Sequence, residues 1–206
     1  MNTATRSRSV DTRQQILSIA KGLILGKGFS AVGLNEILKA AQVPKGSFYH
    51  YFDSKEHFGV ALLESYFDAY LATLDVALHV NCETSALKCL LDYFDSWKNN
   101  QCNEITSDKC LVVKLSGEVS DLSEAMRLSL KQGTNRVINR LAQCVQQAVD
   151  NKEIVLSDDA ETVTKELYYL WLGATLMTKV NHTTDAFEVA IKALHSRFNL
   201  TELNKS

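Results

Sequence analysis

A single proline interrupts 206 residues, where average composition would supply about ten, and glycine occurs only nine times. Proline removes a backbone donor and clashes with the preceding helical turn, so a chain nearly free of it has few obligatory breaks. Alternating apolar and polar runs of the strand type are absent, and apolar residues recur instead at three- and four-residue spacing. Ile16, Ile19, Ala20, Leu23 and Ile24 predict a helix over 11–27 that ends at Gly28. Ser54, a good N-cap, opens a long helix over 54–79 through Phe58, Leu62, Leu63, Tyr66, Phe67, Tyr70 and Leu74. Further helices are expected near 83–101, 108–118, 121–150, 158–181 and 185–198, separated by polar clusters such as Asn99-Asn100-Gln101 and Thr106-Ser107-Asp108. The predicted class is all-α with about nine helices. The first ten residues, with Arg6 and Arg8, read as a disordered arm, either a frayed terminus or a minor-groove arm.

The one proline, Pro44, stands between two short apolar segments in GLNEILKAAQVPKGSFYHYFDSK, residues 33–55. Ile37, Leu38, Ala41 and Val43 give the first segment an apolar face, and Pro44 opens the second, where a missing N–H costs nothing. This predicts a helix-turn-helix, with Gly33 as a weak N-cap for its first helix. The second helix carries Lys45, Ser47, Tyr49, His50 and Tyr51 around an apolar Phe48 that would fix its rotation. Lysine and serine suit phosphates or base edges, and tyrosine and histidine pair an apolar ring with a hydrogen-bonding tip. Lys55 sits at the start of the next helix, where backbone N–H groups also face phosphates. Tyr51 has two readings, packing beneath the helix or contacting the DNA backbone. His50 has no second ligand at a suitable spacing, so no metal site is expected.

Charge follows the same division. The formal net charge is −2, but residues 1–55 hold eight Lys/Arg against three Asp/Glu, while the remainder holds fourteen against twenty-one. A basic head on an acidic body fits binding to double-stranded DNA by one end, because affinity for nucleic acid rests largely on phosphate neutralisation. The expected domains are therefore a helix-turn-helix DNA-binding domain over 1–55 and a helical regulatory and dimerisation domain over 56–206. No apolar leader or membrane-length apolar run is read, which places the chain in the cytoplasm with no membrane partner. Five cysteines, at 82, 89, 102, 110 and 144, form neither a disulfide framework nor a CxxC zinc pattern, so reduced thiols are expected and no cofactor.

Gly28-Phe29, Glu36-Ile37, Ala40-Ala41, Val43 and GSFYHYFDSKEHF together resemble the signature of TetR-family repressors over roughly Asp11 to Phe58 without a gap. The resemblance implies a homodimer whose two reading helices enter successive major grooves of a near-palindromic operator. The family's contact positions fall on Lys45, Ser47, Tyr49, His50 and Lys55. The helix pair near 158–181 and 185–198 has apolar faces wide enough for a four-helix dimer interface.

In the body, TSDKCLVVKLSGEVSDLSEAMR places Cys110 in the first turn of an expected helix, beside Lys109 and four residues before Lys114. Helix N-termini carry positive potential and both lysines favour thiolate, so Cys110 is the reactive candidate among the five, against the alternative of a small buried hydrophobe. This segment and LWLGATLMTKV, residues 170–180, are similar to the branch of TetR repressors that regulates N-ethylmaleimide reductase and glyoxalase-type detoxification enzymes. That resemblance implies that Cys110 senses electrophiles or oxidants and that Lys179 engages it, although Ser120 stands where some relatives carry a further cysteine. Lys179 also has a plain reading, as a lysine snorkelling from the end of an apolar helix. Cys89 and Cys144 read as packing and Cys82 and Cys102 as exposed near helix ends, with Cys102 an alternative to Lys179 as the partner of an oxidised Cys110. Most of Tyr66, Phe67, Tyr70, Trp97 and Trp171 read as core. Two other functions stay open: the same repressor induced by a reversibly bound apolar molecule, and a cysteine redox enzyme built on Cys110 and Lys114. The enzyme reading leaves the DNA-reading motif unexplained, so the expectation is no enzyme and no catalytic residue.

Overall fold

The computed structural model describes residues 3–79, 85–102 and 110–200, and the side chains of 12–79, 85–101 and 110–200. Among the described residues there are nine α-helices and no strand. They are α1 (Thr3–Lys27), α2 (Leu34–Ala41), α3 (Lys45–Tyr51), α4 (Lys55–Ala77), α5 (Ala86–Cys102), α6 (Leu111–Leu122), α7 (Glu124–Asp150), α8 (Ala160–Asn181) and α9 (Asp185–Arg197). The all-α expectation holds. The expected arm does not: α1 begins at Thr3, so residues 3–10 are helical, their run of small and polar side chains containing no breaker. The expected break between 118 and 121 also moves. α6 continues to Leu122, and Ser123 caps α7 by accepting the Met126 N–H at 3.1 Å.

Packing divides the chain into two compact units. One compact unit comprises Met1–Asp68 with Ile105–Gly133, and the other Ala69–Glu104 with Thr134–Ser206. The first unit thus holds α1, α2, α3, α6 and the N-terminal parts of α4 and α7. Its centre is aromatic. Phe48 of α3 lies 5.0 Å from Phe52 and 5.4 Å from Phe58, and Phe58 lies 5.2 Å from Phe52 and 6.5 Å from Phe29, by ring centroids. All four rings are buried. Ile16, Leu17, Ala20 and Ile24 of α1 and Ile37 and Leu38 of α2 add their buried faces to this unit. Gln15 donates to the Ala41 carbonyl at 3.1 Å, fixing the end of α2 on α1.

The second unit is held by a separate aromatic core. Trp171 lies 4.6 Å from Phe94 and 6.4 Å from Phe187, and Trp97 lies 5.6 Å from Tyr168. The Trp97 indole N–H donates to the Thr175 hydroxyl at 3.1 Å, which satisfies a polar group that burial would otherwise penalise. The C-terminal ends of α7 and α8 are closed by left-handed residues, Lys152 and His182. Glu153 then caps α5, accepting the N–H groups of Ala86 and Leu87 at 3.2 and 2.7 Å. Phe67, Trp97 and Trp171 are core, as expected, while Tyr66 and Tyr70 are half-buried, and the Tyr70 and Tyr93 hydroxyls meet at 2.7 Å. Cys89 and Cys144 are buried packing residues.

Two helical glycines in the first unit have opposite surroundings. A Cβ on Gly133 would lie 2.0 Å from the Phe67 ring, whereas one on Gly22 would meet nothing within 4 Å. Alanine adds about 1 kcal/mol of helix propensity over glycine at either place. At Gly133 the overlap with a buried ring wins, at a cost of about 1–3 kcal/mol. Gly133→Ala is therefore expected to lower the denaturant midpoint and Gly22→Ala to raise it; equal shifts would contradict the packing of α4 on α7.

Candidate nucleic-acid interface and cysteine site

The reading element is built by backbone chemistry at its two ends. α2 starts after Gly33, which has extended backbone and makes no side-chain cap, and ends at Gln42 in the left-handed region at φ 55°. The Val43 N–H reaches the Leu38 carbonyl at 3.1 Å and the Gln42 N–H the Lys39 carbonyl at 3.3 Å, a paired closure normally built on glycine. Pro44, with φ −69°, then starts α3, and the Ser47 N–H returns to its carbonyl at 2.9 Å. Beyond α3, Ser54 caps α4 through the His57 N–H at 3.0 Å, as its position in the sequence predicts.

α3 is seven residues long and buries Phe48 alone. Lys45, Tyr49 and His50 are exposed, Tyr49 by 51% of its surface, and Ser47 and Tyr51 are half-buried. The Lys45 ammonium lies 6.0 Å from the Tyr49 ring, so these two share one face. His50 meets Tyr51 edge-on at 4.8 Å, and Tyr51 also leans on Phe52 at 6.3 Å, so packing accounts for part of the Tyr51 side chain. Lys55 is exposed at the first position of α4, its ammonium 5.0 Å from the Phe29 ring. A buried aromatic anchor with basic, hydroxyl and imidazole groups on the outward side is the form a groove-reading helix needs. Among the described residues no group of His, Cys, Asp and Glu could hold a metal ion, and no helix is long and apolar enough to cross a membrane.

Cys110 stands one position earlier than expected, as the N-cap of α6 rather than in its first turn. Its sulfur makes no capping hydrogen bond, yet the N–H groups of Val112 and Val113 and the Tyr66 hydroxyl lie close enough to favour its thiolate. Burial outweighs them and pushes the thiol up from its ordinary value. This corrects the expectation of an acidified thiol. Lys114 does not supply the expected charge, because its ammonium turns to the Gly26 carbonyl at 3.4 Å and neighbours Glu118. Cys144 is pushed up to about 12 by burial and by its neighbours Cys89 and Glu153. Cys82, the Cys102 side chain and Lys109 lie outside the described residues. Lys179 is exposed in the last turn of α8, in the second unit.

Two residues that sequence reading passed over stand out. Tyr66 faces the Cys110 sulfur from a different helix, and no local pattern announces that pairing. For Glu118 a signal was present but unread: it stands four residues after Lys114, which puts the two on one face of α6. Its carboxylate accepts the Phe29 and Ser30 N–H groups at 3.0 and 2.5 Å. Burial alone would raise its pKa, but bonds from the Ser30 side chain and from both N–H groups, with the Lys114 charge, hold it below the usual carboxylate range.

The chain matches two family descriptions, Bacterial regulatory proteins, tetR family, over residues 16–62 and Tetracyclin repressor-like, C-terminal domain, over residues 86–194. It is 41% identical over 181 residues to the HTH-type transcriptional repressor NemR of Escherichia coli strain K12, covering 88% of this chain and 90% of that one. It is 34% identical over 159 residues to the transcriptional regulator AcuR of Cereibacter sphaeroides, covering 77% and 72%. The crystal structure of the reduced form of E. coli NemR superposes with a TM-score of 0.83 over 88% of this chain and 94% of that one. The relatives are named as regulators, which agrees with the expectation that the chain is not an enzyme. A matched reading domain, a matched C-terminal domain and near full-length similarity make one identification: the chain belongs to the TetR family of bacterial regulatory proteins.

Proposed function

We propose that this regulator is a repressor that binds a near-palindromic operator as a homodimer, through one α3 from each copy, and releases it when Cys110 is modified by an electrophile or oxidant. The observation that carries the first half is the anchoring of α3 by Phe48 with Lys45, Tyr49 and His50 turned outward. Ser47, Tyr51 and Lys55 complete the proposed contact set. The E. coli relative is named a repressor, which supports the output. Dimerisation is supported by an exposed apolar stripe on α8, formed by Tyr169, Leu176, Met177 and Val180, with Val189 on α9. Four such side chains at helical spacing on one helix favour burial against a second copy.

The sensing half rests on Cys110 as the half-buried cysteine residue at a helix N-terminus, while Cys89 and Cys144 are fully buried. With N-ethylmaleimide, the sulfur would add to the ring double bond, forming one S–C bond, and the other ring carbon would take up a proton. The adduct would take the place of the bond between the sulfur and the Tyr66 hydroxyl at the start of α6. A modest coupling of about 1–3 kcal/mol would suffice for roughly 5- to 150-fold release. That the relative's structure is of a reduced form fits a redox-responsive branch, and Lys179, which the resemblance implies engages this cysteine, is the proposed partner of an oxidised Cys110. A second reading, a reversibly bound apolar molecule with Cys110 lining its site, is favoured by the upward push on the thiol, which leaves it mostly protonated at neutral pH.

Lys45→Ala is expected to weaken operator and random DNA alike and to lower the slope of log affinity against log salt by about 1, as loss of one phosphate contact requires. An unchanged slope would remove Lys45 from the interface. Cys110→Ser is expected to retain operator binding in gel-shift titration and to lose release by N-ethylmaleimide; release as ready as in the parent would remove Cys110 as sensor. Because its folded value is raised, alkylation of Cys110 in the folded chain should be slower at pH 7 than in the unfolded chain. Its rate should go on rising at pH values where a free thiol has levelled off.

A further inference from the structure

We infer that Glu118 is a positioning residue for operator binding: from α6 it holds the turn that leads into the helix-turn-helix, and so fixes where α3 is presented. This rests on the reading of α3 as the operator-contacting helix, not on the chemistry of Cys110.

The turn between α1 and α2 has a specific weakness. α1 ends with the Gly28 N–H on the Ile24 carbonyl at 2.8 Å, and Gly28 itself adopts φ +94°, which reverses the chain direction. The next two N–H groups, of Phe29 and Ser30, point away from α1 and both go to one carboxylate, that of Glu118, at 3.0 and 2.5 Å. A carboxylate accepting two backbone N–H groups is a strong, charge-assisted clamp. Glycine at position 28 serves the same approach, since a Cβ there would lie 3.0 Å from the Glu118 Oε2 atom.

Two further contacts place α6 on the same parts of the head. Lys114, one turn before Glu118, reaches the Gly26 carbonyl at 3.4 Å, at the end of α1. Ser123, just after α6, donates to Glu56 in the first turn of α4. Phe29, whose N–H Glu118 holds, puts its ring against Phe58 and beneath Lys55. α2 begins four residues after Ser30 and leads through a three-residue turn to α3. The position of α3 therefore depends on a turn whose backbone is held by a side chain 88 residues away.

Electrostatics gives the test a sign. Removing a negative charge from a DNA-binding unit should tighten binding to phosphates, whereas loosening the turn should weaken it. The probe is a duplex selected from a random pool by the parent chain, with binding followed by fluorescence anisotropy. Glu118→Ala is expected to bind about tenfold more weakly. Glu118→Gln, which keeps an oxygen able to accept an N–H, is expected to fall within about threefold of the parent. Amide hydrogen exchange on the free full-length chain is expected to speed up at Phe29, Ser30 and α2 in the alanine variant, with α5, α8 and α9 unchanged.

Binding by Glu118→Ala as tight as the parent's, or tighter, would overturn the inference. Equal loss in the alanine and glutamine variants would also overturn it, as would faster exchange throughout the chain, which would make Glu118 a residue of general stability. Failure of the reading of α3 is separately visible, because Lys45→Ala would then leave the parent's binding to this duplex unchanged.

Discussion

The seven residues of α3 are too few to hold a helix in water, since nucleation is unfavourable and about two turns add few bonds. What holds them is the contact of Phe48 with Phe52 and Phe58, three buried rings within 5.0–5.4 Å of one another. Burying one phenylalanine contributes on the order of 2–3 kcal/mol, more than a seven-residue helix could supply itself. The same cluster joins α3 to the start of α4 and, through Phe29, to the turn after α1. Outward-facing groups on α3 are thereby free to be chosen for DNA rather than for stability, and Lys45, Tyr49 and His50 stand on that side.

At Cys110 two opposing effects meet. A helix N-terminus and the Tyr66 hydroxyl stabilise a thiolate, while burial penalises it, and burial dominates. A thiol held protonated at rest is spared from weak electrophiles, and the groups that would stabilise the anion are already in place beside it. Its position before the first turn of α6 puts any displacement at one end of a helix that touches the end of α1 through Lys114 and the α1–α2 turn through Glu118.

Much of the fold was legible because it is local. The scarcity of proline, the four-residue recurrence of Ile16, Ala20 and Ile24, and Ser54 as a cap all act within a turn or two, and the helices stand close to where they point. The helix-turn-helix was legible for the same reason, except for its turn, where Gln42 rather than glycine takes the left-handed conformation. What escaped depends on contacts between distant residues. The expected acidity of Cys110 came from the helix N-terminus, Lys109 and Lys114, yet Lys114 turns to Gly26 and Glu118, and burial by surroundings from elsewhere in the chain outweighs the helix N-terminus. The place of α6 was not legible either, since it packs with α1 and α4 in one compact unit through polar contacts that span 67 to 89 residues.

The most direct test of α3 as the reading helix is amide hydrogen exchange of the full-length chain with and without a duplex selected by that chain. Protection on DNA binding concentrated in α3 and the first turn of α4 is the expected result. Protection confined to the second unit, or unchanged exchange over residues 45–55 despite saturating DNA, would contradict it.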